Sequence, residues 1–202
     1  MRRSVMILVV AAFVPWAPLT VAAEQPLVIL VPGGKGAPQQ DGFLMRNKQR
    51  FDEAGFQTVV STTPPEIVQA AKTSRAKGQK AFVVGMSIGV IKSAAALGAG
   101  AQVDGAVFFS GNYKKARDHL GSPGNLPPTL LVHHRHDKCD GTTPRNVEPF
   151  GEWSGGKVER VVWIQSSGNN RGAPPCGVFG AHGFYRKDAE PISAAIDFIK
   201  SH

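Results

Sequence analysis

The chain has 202 residues, is 42% hydrophobic and 19% charged, and carries a formal net charge of +8. That length suits one domain with a sizeable core and leaves little room for a second. The positive excess is scattered (Lys35, Arg46, Lys48, Arg50, Lys72, Arg75, Lys77, Lys80, Lys114, Lys115, Arg117), with no basic block interleaved with aromatics. A nucleic-acid partner is therefore excluded in favour of a solvated basic surface, with weak attraction to anionic envelope surfaces as the other reading.

Arg2 and Arg3 precede an apolar run from Val5 to Val14, then Pro15 and Pro18, and Val21-Ala22-Ala23 offers the small residues of a cleavage site. Residues 1–23 read as a secretory signal, leaving 24–202 as one domain in the periplasm or outside the cell. The alternative is an uncleaved anchor, for which the run is short. Arg2-Arg3 also fits twin-arginine export, although the rest of that motif is poor. No stretch of the body is long and apolar enough to span a membrane. Two cysteines remain, Cys139 and Cys176. An even count in an exported protein suggests one disulfide, contributing roughly 3–4 kcal/mol in the chain-entropy model.

Along the chain, apolar runs alternate with helical patterns. Leu27–Val31 is a β-rich run closed by Pro32-Gly33-Gly34. Phe43 to Ala54 reads as a helix ended by Gly55, and Phe56–Val60 as the next strand. Thr63 with Glu66 three residues on marks a helix start, and Gly78 its end. Ala81–Val84 is a strand and Ile88–Leu97 a helix of small residues. Val103–Phe109, Thr129–His133 and Val158–Ile164 are further strands; Lys114–Leu120, Arg145–Trp153 and Ile192–Lys200 are helices. About six strands separated by helices imply a mostly parallel sheet in a three-layer α/β domain, with helices on both faces. Ser166 to Ala181 is the one long irregular stretch, rich in Gly, Asn and Pro, and a loop of that length is commonly functional or stapled.

Gly85-Met86-Ser87-Ile88-Gly89 carries the strongest chemical signal. The bare pattern is weak; its setting after a strand and before a helix makes it a sharp turn that lifts the Ser87 hydroxyl above the sheet. Gly85 and Gly89, lacking Cβ, let strand and helix close around that turn. The competing reading is a glycine-rich turn with a capping serine. A serine needs a base, and His182, after the last strand and before the last helix, is in the right loop. His202 reads as a solvated tail and His119 as a surface residue. The acid should follow the penultimate strand, which selects Asp137, with Asp140 as fallback; Asp104 sits at the wrong end of its strand. Oxyanion donors would come from the backbone of Ile88 and of the Gly33-Gly34-Lys35 loop, Gly34 foremost.

His133, His134, His136, Asp137 and Cys139 invite a metal reading, but adjacent His133 and His134 point to opposite faces of a strand. No metal and no cofactor is expected. A Cys139–Cys176 bridge would tie the loop of the acid to the loop of the base. Tyr113, Phe179 and Phe184 stand where they would line a pocket.

These motifs together resemble the α/β-hydrolase family over nearly the whole mature chain: Val31-Pro32-Gly33-Gly34, Gly85-Met86-Ser87-Ile88-Gly89, His136-Asp137 and His182-Gly183-Phe184. The chain looks like the small capless members, near the dienelactone-hydrolase-like and serine-aminopeptidase-like enzymes. That resemblance implies Ser87 as nucleophile, Asp137 as acid, His182 as general base, and Gly34 and Ile88 as oxyanion donors. Pro32 stands where many members carry His, and Gly111 to Pro128 is too short for a cap. The implied activity is hydrolysis of small ester-like substrates through an acyl-enzyme. Thioesterase, lactone hydrolase and peptidase chemistries share the triad, and a non-catalytic binding protein on the same scaffold is the rival of another class.

Overall fold

The computed structural model describes residues 24–34, 37–165 and 172–202. The expected signal segment, Lys35 and residues 166–171 of the long loop lie outside the described residues. The apolar runs form strands β1 (Leu27–Val31), β2 (Gln57–Val60), β3 (Ala81–Met86), β4 (Gly105–Phe109), β5 (Thr129–His134) and β6 (Val158–Ile164). Their ends fall within two residues of the sequence expectation. They make one sheet in the order β2-β1-β3-β4-β5-β6, and every neighbouring pair is parallel. β1, β3, β4 and β5 are buried along their whole length. Strands covered on both faces read as unbroken apolar runs for that reason.

The helices are α1 (Phe43–Arg46), α2 (Lys48–Glu53), α3 (Pro64–Ala76), α4 (Ile88–Gly98), α5 (Tyr113–Leu120), α6 (Val147–Trp153) and α7 (Ala189–Ser201). Alternate strand residues face opposite layers. Ile29, Val83, Phe108 and Leu131 meet α3, α4, α5 and α6 through Ile67, Val90, Leu120 and Phe150. Val28, Phe82, Val107 and Leu130 meet α1, α2 and α7 through Phe43, Phe51, Ile192 and Phe198. Each such apolar side chain contributes about 1.5–3 kcal/mol by full burial.

Thr63 caps α3 as its spacing with Glu66 implies: the Thr63 side chain accepts from the Glu66 N–H, and the Glu66 carboxylate accepts from the Thr63 N–H at 3.2 Å. The helix expected over Phe43–Ala54 is instead two, broken at Asn47 (φ −108°, ψ 3°). The buried Asn47 amide donates to the Phe43 carbonyl at 2.8 Å and to Asp188 Oδ1 at 3.0 Å. A side-chain amide that takes a backbone carbonyl competes with the helix ladder. The expected helix over Arg145–Trp153 begins as a 3-10 turn, Pro144–Asn146, before α6.

Between β4 and β5, Gly111 to Pro128 holds only α5 and a 3-10 turn, so no cap domain covers the sheet there. β1 lies between β2 and β3, so the chain runs outward from β1 in one direction and returns past it in the other. The crevice beyond the carboxyl ends of strands at such a switch point is where ligands bind in open α/β sheets.

Candidate active site

β3 ends at Met86 and α4 begins at Ile88, so Ser87 alone makes the turn between them. Its backbone sits at φ 56°, ψ −116°, a conformation that a residue with a Cβ holds only when its surroundings impose it. The Ser87 N–H donates to the Phe109 carbonyl at 2.9 Å, which ties the turn to β4. A Cβ added at Gly89 would lie 1.9 Å from the Val31 carbonyl oxygen, and one at Gly85 would lie 3.0 Å from the Val90 nitrogen. Both glycines are therefore required by the close seating of α4 on the ends of β1 and β3. Ile88 is the first residue of α4, and its N–H has no acceptor within the helix.

Ser87 lines a cavity of about 160 Å³ together with Gly33, Gly34, Phe43, Leu44 and His182. Gly34, at φ +87° and exposed, brings backbone to the rim of this cavity. Met86, Cys176 and Val178 complete much of the wall, and no Lys, Arg, Asp or Glu lines it among the described residues.

Asp137 follows β5 and is 3% exposed; His182 lies in the loop before α7 and is 4% exposed. His182 Nδ1 is 2.9 Å from Asp137 Oδ2. The carboxylate is held by further donors: the Thr142 hydroxyl to Oδ2 at 3.0 Å and the Cys139 N–H to Oδ1 at 2.8 Å. Thr142 Oγ1 also stands 3.3 Å from His182 Nδ1. With Asp137 as acceptor, the neutral His182 ring carries its proton on Nδ1 and leaves Nε2 free to take one. The structure thus brings Asp137 and His182 together by hydrogen bond, and Ser87 and His182 together in one cavity. Asp140, the fallback acid, is exposed. Asp104 accepts from the Ala81 N–H at 2.8 Å, at the opposite ends of β3 and β4.

Cys139 and Cys176 form a disulfide across a sequence separation of 37. One half follows the acid and the other stands in the cavity wall. The His133 and His134 rings lie on opposite faces of β5, His133 against Tyr113 and Trp163 and His134 against His136 and Phe184. Among the described residues, no three His, Cys, Asp or Glu side chains are grouped to hold a metal ion. None of their helices is long and apolar enough to cross a membrane.

Three expectations change. Tyr113, Phe179 and Phe184 do not line the cavity. Phe184 turns down into the core, its ring 4.8 Å from Phe43 and 5.9 Å from Phe109; Tyr113 is buried on the other face of the sheet; Phe179 is exposed against Tyr185. His202 is no free tail: its Nε2 lies 3.0 Å from Glu159 Oε2, and its ring packs on Phe198. Arg46, read as surface charge, donates to the Gly183 carbonyl and to Asp188 Oδ1, both at 2.6 Å, and so clamps the loop that carries His182. Nothing local in the sequence marks Arg46, and Thr142 has only its position five residues after Asp137.

No protein-family model and no curated protein matches the sequence. Solved structures do. An esterase of the planctomycete Thermogutta terrifontis, solved with butyrate bound, is similar at 14% identity over 92% of this chain and 87% of its own, with a TM-score of 0.60. An alpha-beta serine hydrolase homologue from Coxiella burnetii matches at 14% identity, 90% and 88% coverage, and a TM-score of 0.59. A metagenome-derived lipolytic enzyme matches at 13% identity, 90% and 96% coverage, and a TM-score of 0.59. At such identities the likeness carries architecture, and with the sheet order and the turn at Ser87 it shows that this chain has the α/β-hydrolase fold.

Proposed function

We propose that the chain is an exported serine hydrolase that cleaves small, uncharged esters through an acyl-enzyme. The observation that carries this reading is the strained Ser87 turn sharing a cavity with His182, whose Nδ1 is anchored 2.9 Å from Asp137 Oδ2. Ser87 Oγ attacks the acyl carbon while His182 Nε2 takes its proton. The backbone N–H groups of Gly34 and Ile88 receive the oxyanion. Collapse of the tetrahedral intermediate expels the alcohol, which leaves with the proton held by His182. Water, deprotonated by the same imidazole, then frees the acid and restores Ser87.

Cavity size and lining favour short acyl groups. The cavity is about 160 Å³, with Phe43, Leu44, Met86 and Val178 beside Gln39, Ser87 and His182 in its walls. A carboxylate-bearing acyl group would find no charged partner among the described lining residues. Butyrate, the ligand of the Thermogutta esterase, is of the size favoured. Residues 1–23 and the disulfide support export; the bridge also braces the loop of the acid against the cavity wall.

The test is hydrolysis of p-nitrophenyl acetate and butyrate by the mature protein beside Ser87→Ala. Turnover by the wild type, with a loss of about 10⁴-fold or more in the variant, supports the assignment. Equal activity of the two removes Ser87 from the chemistry. An inert wild type that also resists a fluorophosphonate label shifts the reading to a binding protein.

A further inference from the structure

His133 is a buried imidazole that faces the acid and that the proposed chemistry leaves unused. It is fully buried, and its Nε2 makes no hydrogen bond that meets ordinary geometry. A buried nitrogen left without a partner is costly and calls for an explanation. The acidic oxygen facing it is Asp137 Oδ2, at 3.5 Å, the same atom that His182 engages. On the other side of the ring, Nδ1 is 3.5 Å from the Tyr113 hydroxyl, itself 3.3 Å from the Phe108 carbonyl.

Two tautomers of the neutral ring are available. With the proton on Nδ1, the Nε2 lone pair would face a carboxylate in a dry site, acceptor against acceptor. With the proton on Nε2, an N–H faces the anion, while the Tyr113 hydroxyl keeps its donation to the Phe108 carbonyl and Nδ1 faces only a neutral oxygen at 3.5 Å. Electrostatics selects the second. Burial holds the imidazole neutral, its pKa pushed down to about 4 against the opposing pull of Asp137 and of the Thr142 backbone.

We propose that His133 is a positioning residue for the acid of this site: a neutral imidazole, protonated on Nε2, that presents its N–H to the Asp137 carboxylate from β5 while His182 approaches from its own loop. The proposal deepens the hydrolase reading and, for its effect on turnover, rests on it. A buried carboxylate is tolerated only while donors surround it. Cys139 N–H, Thr142 hydroxyl and His182 supply three; His133 is the fourth. A separation of 3.5 Å is long for a hydrogen bond, so the N–H acts on the carboxylate chiefly as a dipole in a dry site. The groups facing His133 are Asp137 and Thr142 from the acid loop, His182 from the base loop, Tyr113 from α5 and Trp163 from β6, with the Arg135 guanidinium over the Trp163 ring. His134 lies on the opposite face of the same strand.

The sign of the pH effect follows. Without the N–H, Asp137 is harder to ionise and its carboxylate more basic toward His182. Both changes push the acid limb of kcat/KM to higher pH. The experiment compares wild type, His133→Gln and His133→Leu on p-nitrophenyl butyrate across pH, with melting temperature as the check on folding. Gln retains an N–H near the Nε2 position; Leu does not. The expected result is a loss of about ten- to a hundredfold for Leu with its acid limb displaced upward, and a wild-type limb for Gln. A Leu profile that superimposes on wild type in pH, whatever its height, overturns the proposal. If Leu does not fold, ring-nitrogen NMR of the histidine-labelled wild type decides: a proton on His133 Nδ1 overturns it, and one on Nε2, with the Gln limb unmoved, supports it. That spectrum needs no turnover, so an inert wild type would count against the hydrolase reading without deciding the tautomer.

Discussion

The two walls of the cavity are held by different physics. On the serine side, the backbone does the work: Ser87 at φ 56°, α4 seated on β1, and no space for a Cβ at Gly89. On the acid–base side, side chains do it: Asp137 receives Thr142, Cys139 N–H and His182, and Arg46 clamps Gly183 from across the fold. Backbone constraint is local and all-or-none. Side-chain constraint is distributed, and it should fail by degrees when its members are removed one at a time.

That contrast can be broken at several points. The largest effect is expected at Gly89→Ala, since the new Cβ would meet the Val31 carbonyl oxygen at 1.9 Å. Overpacking against backbone that cannot yield should destabilise by about 3 kcal/mol or more, read as a shift in the urea unfolding midpoint. A stability close to wild type would show that α4 can slide off β1. Next comes the disulfide. The Cys139–Cys176 bridge spans a separation of 37, for which chain entropy gives about 4 kcal/mol. Cys176→Ser should lower the melting temperature and reduce turnover together, because Cys139 also donates its N–H to Asp137. Loss of stability with turnover intact would make the bridge a plain staple. The smallest effect belongs to Thr142→Val, which removes one of several donors from Asp137. A fall of about tenfold in kcat/KM is expected, with stability reduced by only about 1–2 kcal/mol. A fall as deep as that of Ser87→Ala would show that the donors act as a single unit.

The same division explains what the sequence discloses. The Ser87 turn is legible because its requirements fall within five consecutive residues, Gly85 to Gly89, flanked by a strand and a helix. β1, β3 and β4 are legible because burial on both faces leaves no charged residue to blur them. His182 and Asp137 follow from their places after particular strands. Arg46, Asn47, Thr142 and the cavity residues Phe43 and Leu44 escape such reading. Most of their roles depend on partners far along the chain, as Arg46 and Asp188 are 142 positions apart, while Thr142 reaches Asp137 from five residues on through a loop with no recognisable pattern. Asn47 breaks the helix expected over Phe43–Ala54 for the same reason: its amide serves Asp188, which no local pattern reveals. Phe184 looks like a pocket residue from its place beside His182, yet it serves the core because the Phe43–Phe109 pair offers it an aromatic seat.

The clamp between Arg46, Asn47 and Asp188 also sets an order of assembly. A chain threaded amino end first delivers the serine, then the acid, and only at the close the loop with His182 and the helix α7 behind it. Until Asp188 arrives, Arg46 and Asn47 lack their shared partner, and the cavity wall they support is unfinished. A chain truncated before Asp188 would thus carry the Ser87 turn complete while Arg46 and Asn47 lack the carboxylate they share.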